Sequence, residues 1–118
     1  MPHLILEYSG NIVPDESPVS VASDLRTALA QIETFKLGDI KARCFRSPDF
    51  VVADGNSKNA FVHLKVEILA GRPLVLRKSV SSKLLAVIQQ GFRAASKNYR
   101  VSYSVEVREM DPETYLKG

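Results

Sequence analysis

Ala60-Phe61-Val62-His63-Leu64-Lys65-Val66-Glu67-Ile68-Leu69 alternates with a period of two along its whole length. That period is the mark of a strand with one face buried. Val62, Leu64, Val66 and Ile68 share the apolar face, and Phe61, His63, Lys65 and Glu67 share a mixed one. Downstream, Ala70-Gly71-Arg72-Pro73 is a connection, with Pro73 placed to open a helix. Val80, Leu84, Val87, Ile88 and Phe92 then supply a helical stripe, in a segment running to about Asn98. Val101 to Val107 alternates again as a strand. Upstream, Asp54-Gly55-Asn56 marks a turn.

The N-terminal half has the same order. His3 to Tyr8 reads as a strand with Leu4, Leu6 and Tyr8 on one side. Ser9-Gly10-Asn11 turns the chain into a loop that lasts to Pro18. Val21, Leu25, Ala28, Ile32 and Phe35 then recur at threes and fours, which predicts a helix over Val19 to Phe35, ended by Gly38. Ile40 to Phe45 is a further strand, in which Lys41 and Arg43 share one face and Ile40, Ala42 and Cys44 the other.

The fold class is therefore α+β, with two β-α-β units forming a four-stranded mixed sheet and two helices on one face. The expected organisation is one domain over residues 1–118, with units at about 2–46 and 59–108 and a short polar tail from Asp111 to Gly118. The tail holds Tyr115 and Leu116 and is expected to dock rather than to form a core element. The sheet face away from the helices must be solvated or covered by another copy.

Composition narrows the function. The 118 residues carry 45% hydrophobic and 25% charged side chains and a net charge of +3, an ordinary globular balance. The basic residues are interspersed with carboxylates, which is weak support for nucleic-acid binding and equally suits an anionic small molecule. No apolar run nears the roughly 18–20 residues of a membrane span, and Met1-Pro2-His3 lacks the start of a secretory signal. The lone Cys44 has no partner for an internal disulfide and reads as a small core residue in a reducing, cytoplasmic setting. No Gly-rich phosphate loop, zinc pattern or nucleophile elbow is present. His3 and His63 have no metal-ligand partner at useful spacing and read as hydrogen-bonded sheet residues.

The opening Met1-Pro2-His3-Leu4-Ile5-Leu6-Glu7-Tyr8-Ser9, the segment Ala60-Phe61-Val62-His63-Leu64 and the connection Ala70-Gly71-Arg72 resemble the 5-carboxymethyl-2-hydroxymuconate Δ-isomerases of the tautomerase superfamily. The likeness runs from Pro2 to about Glu109, with matching element order. It implies a homotrimeric, cofactor-independent isomerase that moves a proton, in the 1,3-keto–enol manner, on a carboxylated dienol. It also implies that the N-terminal proline is the general base.

Chemistry at these positions is consistent with that role. Methionine is generally removed before a small second residue, and the Pro2 amine then exposed is a ring amine with a fixed lone pair. While Met1 remains, Pro2 is an amide with no basic lone pair. An α-amino group titrates at about 7.7–8.0, and burial or nearby cations lower it toward neutral pH. Arg72, ahead of Pro73, is a candidate carboxylate anchor through two parallel hydrogen bonds. Lys41 and Arg43 are candidate partners for the remaining carboxylates. The family pattern there is Ile-Arg-x-Arg, so Lys41 keeps the charge and loses the planar grip. Phe61 is a candidate apolar wall beside the proline.

Two other readings compete. A catalytically inactive tautomerase-fold protein, acting in assembly or small-anion binding, would keep the same architecture. An RNA-binding module would share the element order, but it needs stacked aromatics on its sheet, and the third strand offers only Phe61.

Overall fold

A computed structural model describes residues 1–118. Strands β1 (His3–Ser9), β2 (Lys41–Ser47), β3 (Asn59–Leu69) and β4 (Arg100–Met110) form one sheet in the order β2-β1-β3-β4. Helices α1 (Pro18–Ala30) and α2 (Leu74–Gly91) are the crossovers of the two β-α-β units. Within each unit the strands are parallel, and β1 and β3 join the units antiparallel through pairs such as Leu6 with Leu64.

Alternation decides which face is buried. Leu4, Leu6, Val62, Leu64, Val66 and Ile68 lie beneath the helices, whose Leu25, Leu29, Val80, Leu84 and Ile88 complete the core. Both helices pack on that one face. The other face carries cross-strand rows that no helix covers, among them Lys41–His3–Glu67–Arg108, Arg43–Ile5–Lys65–Glu106 and Phe45–Glu7–His63–Ser104.

Both helices stop short of the lengths their periodicity predicts. Helix α1 ends at Ala30, and the chain continues in tight turns with Ile32 N–H on the Leu29 carbonyl and Phe35 N–H on the Ile32 carbonyl. Leu29, Ile32 and Phe35 are spaced by three, a spacing that three-residue turns satisfy as well as an α-helix does. Helix α2 ends at Gly91 instead of near Asn98 and gives way to a short 3-10 turn at Ala95–Lys97. A Cβ at Gly91 would lie 3.1 Å from Val21 Cγ2, so this glycine is where the two helices approach closely. Pro73 stands just outside α2 as its N-cap, not as its first residue. Strand β4 exceeds its expected span at both ends because it pairs with all of β3, from Asn59–Arg100 to Leu69–Met110.

Candidate functional site

Pro2 sits at the head of β1, the central strand beside β3, and is buried. Its carbonyl accepts the Lys41 N–H at 3.0 Å, which ties it to the start of β2. Proline has no N–H to leave unsatisfied there. Burial first, then Lys117, Arg72 and Lys41, push the neighbouring N-terminal amine of Met1 below its ordinary value, and Asp39 opposes them. Three cations from distant parts of the chain thus act on one amine.

Each of those cations is placed by a different element. Gly71, at φ +123, lets the chain leave β3 and present Arg72. The Arg72 Nε donates to Thr34 Oγ1 at 3.1 Å and its Nη1 to the Leu69 carbonyl at 3.3 Å. Its guanidinium lies 4.3 Å over the Phe35 ring, a cation–π contact that fixes the plane. Lys41 opens β2, and its Nζ donates to the Asp39 carbonyl at 3.2 Å. Lys117, in the tail, places its Nζ 2.7 Å from Met1 Sδ. None of the three forms an ion pair, since the chain's ion pairs are His63–Glu106, Arg77–Glu109 and Arg108–Glu106.

Arg43 is on the same sheet face as Lys41 but is otherwise engaged. Its Nη1 donates to His3 Nδ1 at 3.2 Å. The His3 Nε2 in turn meets the Tyr115 hydroxyl at 2.9 Å, and the two rings stack edge to face at 6.1 Å. Burial first, then Arg43, lower the His3 pKa, and Glu67 opposes them, which favours the neutral ring. His63 bonds Ser104 Oγ at 2.7 Å. Both histidines are hydrogen-bonded sheet residues, as expected. The Cys44 thiol donates to the Pro18 carbonyl, and burial raises its pKa.

Phe61 is not beside Pro2 in this chain. It pairs with the far end of β1, where its N–H donates to Ser9 Oγ at 2.9 Å. Six residues of strand, about 20 Å, separate that end from the proline. The aromatic that meets the cationic group is Phe35. The sequence alone does not single out Phe35, Asp39, Tyr115 or Lys117, which the fold brings to Arg72 and the first residues of the chain. Phe35 shares the spacing of a core residue, and the tail's direction depends on tertiary contacts alone.

A family model for 5-carboxymethyl-2-hydroxymuconate isomerase matches residues 2–118. The 5-carboxymethyl-2-hydroxymuconate Delta-isomerase of Escherichia coli is 30% identical over 117 residues, which are 99% of this chain and 93% of that protein. A crystal structure of a 5-carboxymethyl-2-hydroxymuconate isomerase from Deinococcus radiodurans R1 superposes with a TM-score of 0.88 at 31% identity, covering 99% of this chain and 88% of that one. A fused 4-OT described as a wild-type symmetric trimer shares the fold, with a TM-score of 0.70 at 17% identity over 92% of this chain and 85% of that one.

Proposed function

We propose a catalytic role for Pro2 from one premise: this chain belongs to the 5-carboxymethyl-2-hydroxymuconate isomerase family. It is an isomerase. Its substrate, in our reading, is a carboxylated dienol such as 5-carboxymethyl-2-hydroxymuconate. The whole chain acts as one domain, in a cytoplasmic homotrimer that serves the breakdown of aromatic compounds.

Removal of Met1 exposes the Pro2 ring amine, the general base. The amine takes the proton of the substrate's 2-hydroxyl. The electron pair of that O–H bond forms the 2-oxo group, the 2,3 π pair moves to 3,4, and the 4,5 π pair becomes the new C–H bond as carbon 5 takes the proton back from the prolinium. Every bond broken is matched by one formed, and the proline ends neutral. Arg72 and Lys41 hold carboxylates and stabilise the charge that develops on the 2-oxygen. Arg43, bonded to His3, is the less direct anchor.

One observation carries the reading: a buried proline at the head of a strand, with three unpaired cations acting on the adjacent amine. Burial and positive charge lower an amine's pKa toward neutrality, and the same charges attract a polycarboxylate.

The test is ketonisation of 2-hydroxymuconate-type dienols, followed by ultraviolet absorbance on protein whose intact mass shows Met1 gone. Pro2→Ala and a Met1-retaining sample are expected to lose at least 100-fold in kcat, since a positioned base contributes roughly 10²–10⁴. Background rates from correctly processed protein would leave an inactive, anion-binding relative.

A further inference from the structure

The tail from Asp111 to Gly118 follows β4 and turns on Asp111, whose carbonyl accepts the N–H groups of Thr114 and Tyr115. It then comes back to the first residues of the chain. Tyr115 is hydrogen-bonded to His3, the residue after Pro2, and Lys117 reaches Met1, the residue before it. The tail therefore meets both residues that flank Pro2 in the chain.

The direction of the hydrogen bonds follows from their donors. A guanidinium only donates, so His3 Nδ1, which meets Arg43, is the unprotonated acceptor. The proton of the neutral ring is then on Nε2 and is given to the Tyr115 oxygen. Tyr115 accepts, and its own O–H proton has no partner in the chain. Lys117 is in the same condition. Its hydrogen bond is to a thioether, a weak acceptor, and even that partner leaves with Met1.

We propose that Tyr115 and Lys117 are specificity residues of the Pro2 site, binding together the substrate carboxylate that lies farthest from the reacting enol. This rests on the reading of Pro2 as the base. A hydroxyl donor and an ammonium are held beside the two residues that flank the proline, and neither is neutralised by the protein. Substrates with a second carboxylate are bound through both, and enols with a single carboxylate do not engage them. Arg43 and His3 are positioning residues in this arrangement, since they keep the Tyr115 proton free.

Calorimetric titration of Met1-processed protein with adipate, a saturated dicarboxylate, and with hexanoate, its single-carboxylate counterpart, tests this. Pro2→Ala, Tyr115→Phe and Lys117→Ala are compared with the parent for binding and for dienol turnover. Tyr115→Phe and Lys117→Ala are each expected to weaken adipate about tenfold, the size of one hydrogen bond to a charged group. Hexanoate affinity should stay unchanged. In turnover Tyr115→Phe should raise KM for a dicarboxylate dienol more than it lowers kcat, and Lys117→Ala should raise that KM and also move the acidic limb of the rate to higher pH. Pro2→Ala is expected to lose turnover and still bind adipate. Equal weakening of both acids, or no weakening of adipate, overturns the assignment to the tail even where Pro2→Ala is inactive. Full turnover by Pro2→Ala would overturn the base instead, and the adipate titrations would still decide the tail.

Discussion

The amine at the head of β1 is held by opposing influences. Burial, Lys117, Arg72 and Lys41 favour its neutral form, and Asp39 favours the charged one. In the processed form proposed above the amine belongs to Pro2, one residue further into the buried end of the strand, and the same charges are expected to act on it. Loss of a cation must raise its pKa, so that a smaller fraction is free base at a given pH. The acidic limb of kcat/KM is therefore expected to move to higher pH in Arg72→Ala and Lys41→Ala. Asp39→Asn removes a charge that stabilises the protonated amine and should move the limb to lower pH. Rate–pH profiles of the three variants provide the check, and shifts of one common sign would show that these charges do not set the base. Arg72→Lys restores the charge without the stack on Phe35 or the bonds to Thr34 and Leu69. It should recover the pH limb and not the affinity.

At the scale of elements, burial is concentrated in β3. Val62, Leu64, Val66 and Ile68 are all fully buried, and Leu64→Ala opens a hole beneath both helices. A loss of about 3 kcal/mol is expected, as for other buried leucines. Helix α1 depends on a smaller contact, the Ser17 side chain accepting the Ser20 N–H at 3.0 Å. Ser17→Ala should cost about 1 kcal/mol. Urea denaturation at one protein concentration measures both, and a Leu64→Ala loss no larger than that of Ser17→Ala would contradict the core described here. Strand identity, faces and order were readable in the sequence because a period of two leaves no second register for Val62 to Ile68. The helix ends were not, because Leu29, Ile32 and Phe35 fit a tight turn and a helix equally well. The residues proposed for the site differ in how far the sequence alone can single them out. Pro2, Arg72 and Lys41 are local to strand ends and connections, whereas Tyr115 and Lys117 approach the N-terminus only through the path of the tail. Within the chain Phe61 lies at the end of β1 remote from Pro2, because sequence spacing does not tell which end of an antiparallel strand faces the proline.

For the whole molecule, the sheet face opposite the helices sets the question of assembly. Its rows interleave charges with Ile5, Phe45 and His63, and apart from Tyr115 on His3 nothing in the chain is seen to cover it. In the proposed trimer this face is where copies meet. Ile5 lies between Arg43 on β2 and Lys65 on β3. A lysine there would place three cations in one row. On a solvated face, like charges in neighbouring strands cost a few tenths of a kcal/mol up to about 1 kcal/mol, and the isolated chain should keep its fold. Pressed against another copy, an unpaired charge costs several kcal/mol. Ile5→Lys is therefore expected to reduce the mass measured by light scattering from three chains to one while the circular dichroism spectrum is unchanged. A parent protein with the mass of one chain, or an Ile5→Lys variant that keeps the mass of three, would mean that copies do not meet on this face. If the variant falls to one chain and also loses turnover, the Pro2 site depends on a neighbouring copy, and Phe61, remote from Pro2 within its own chain, becomes the first residue to test as a contribution across the contact.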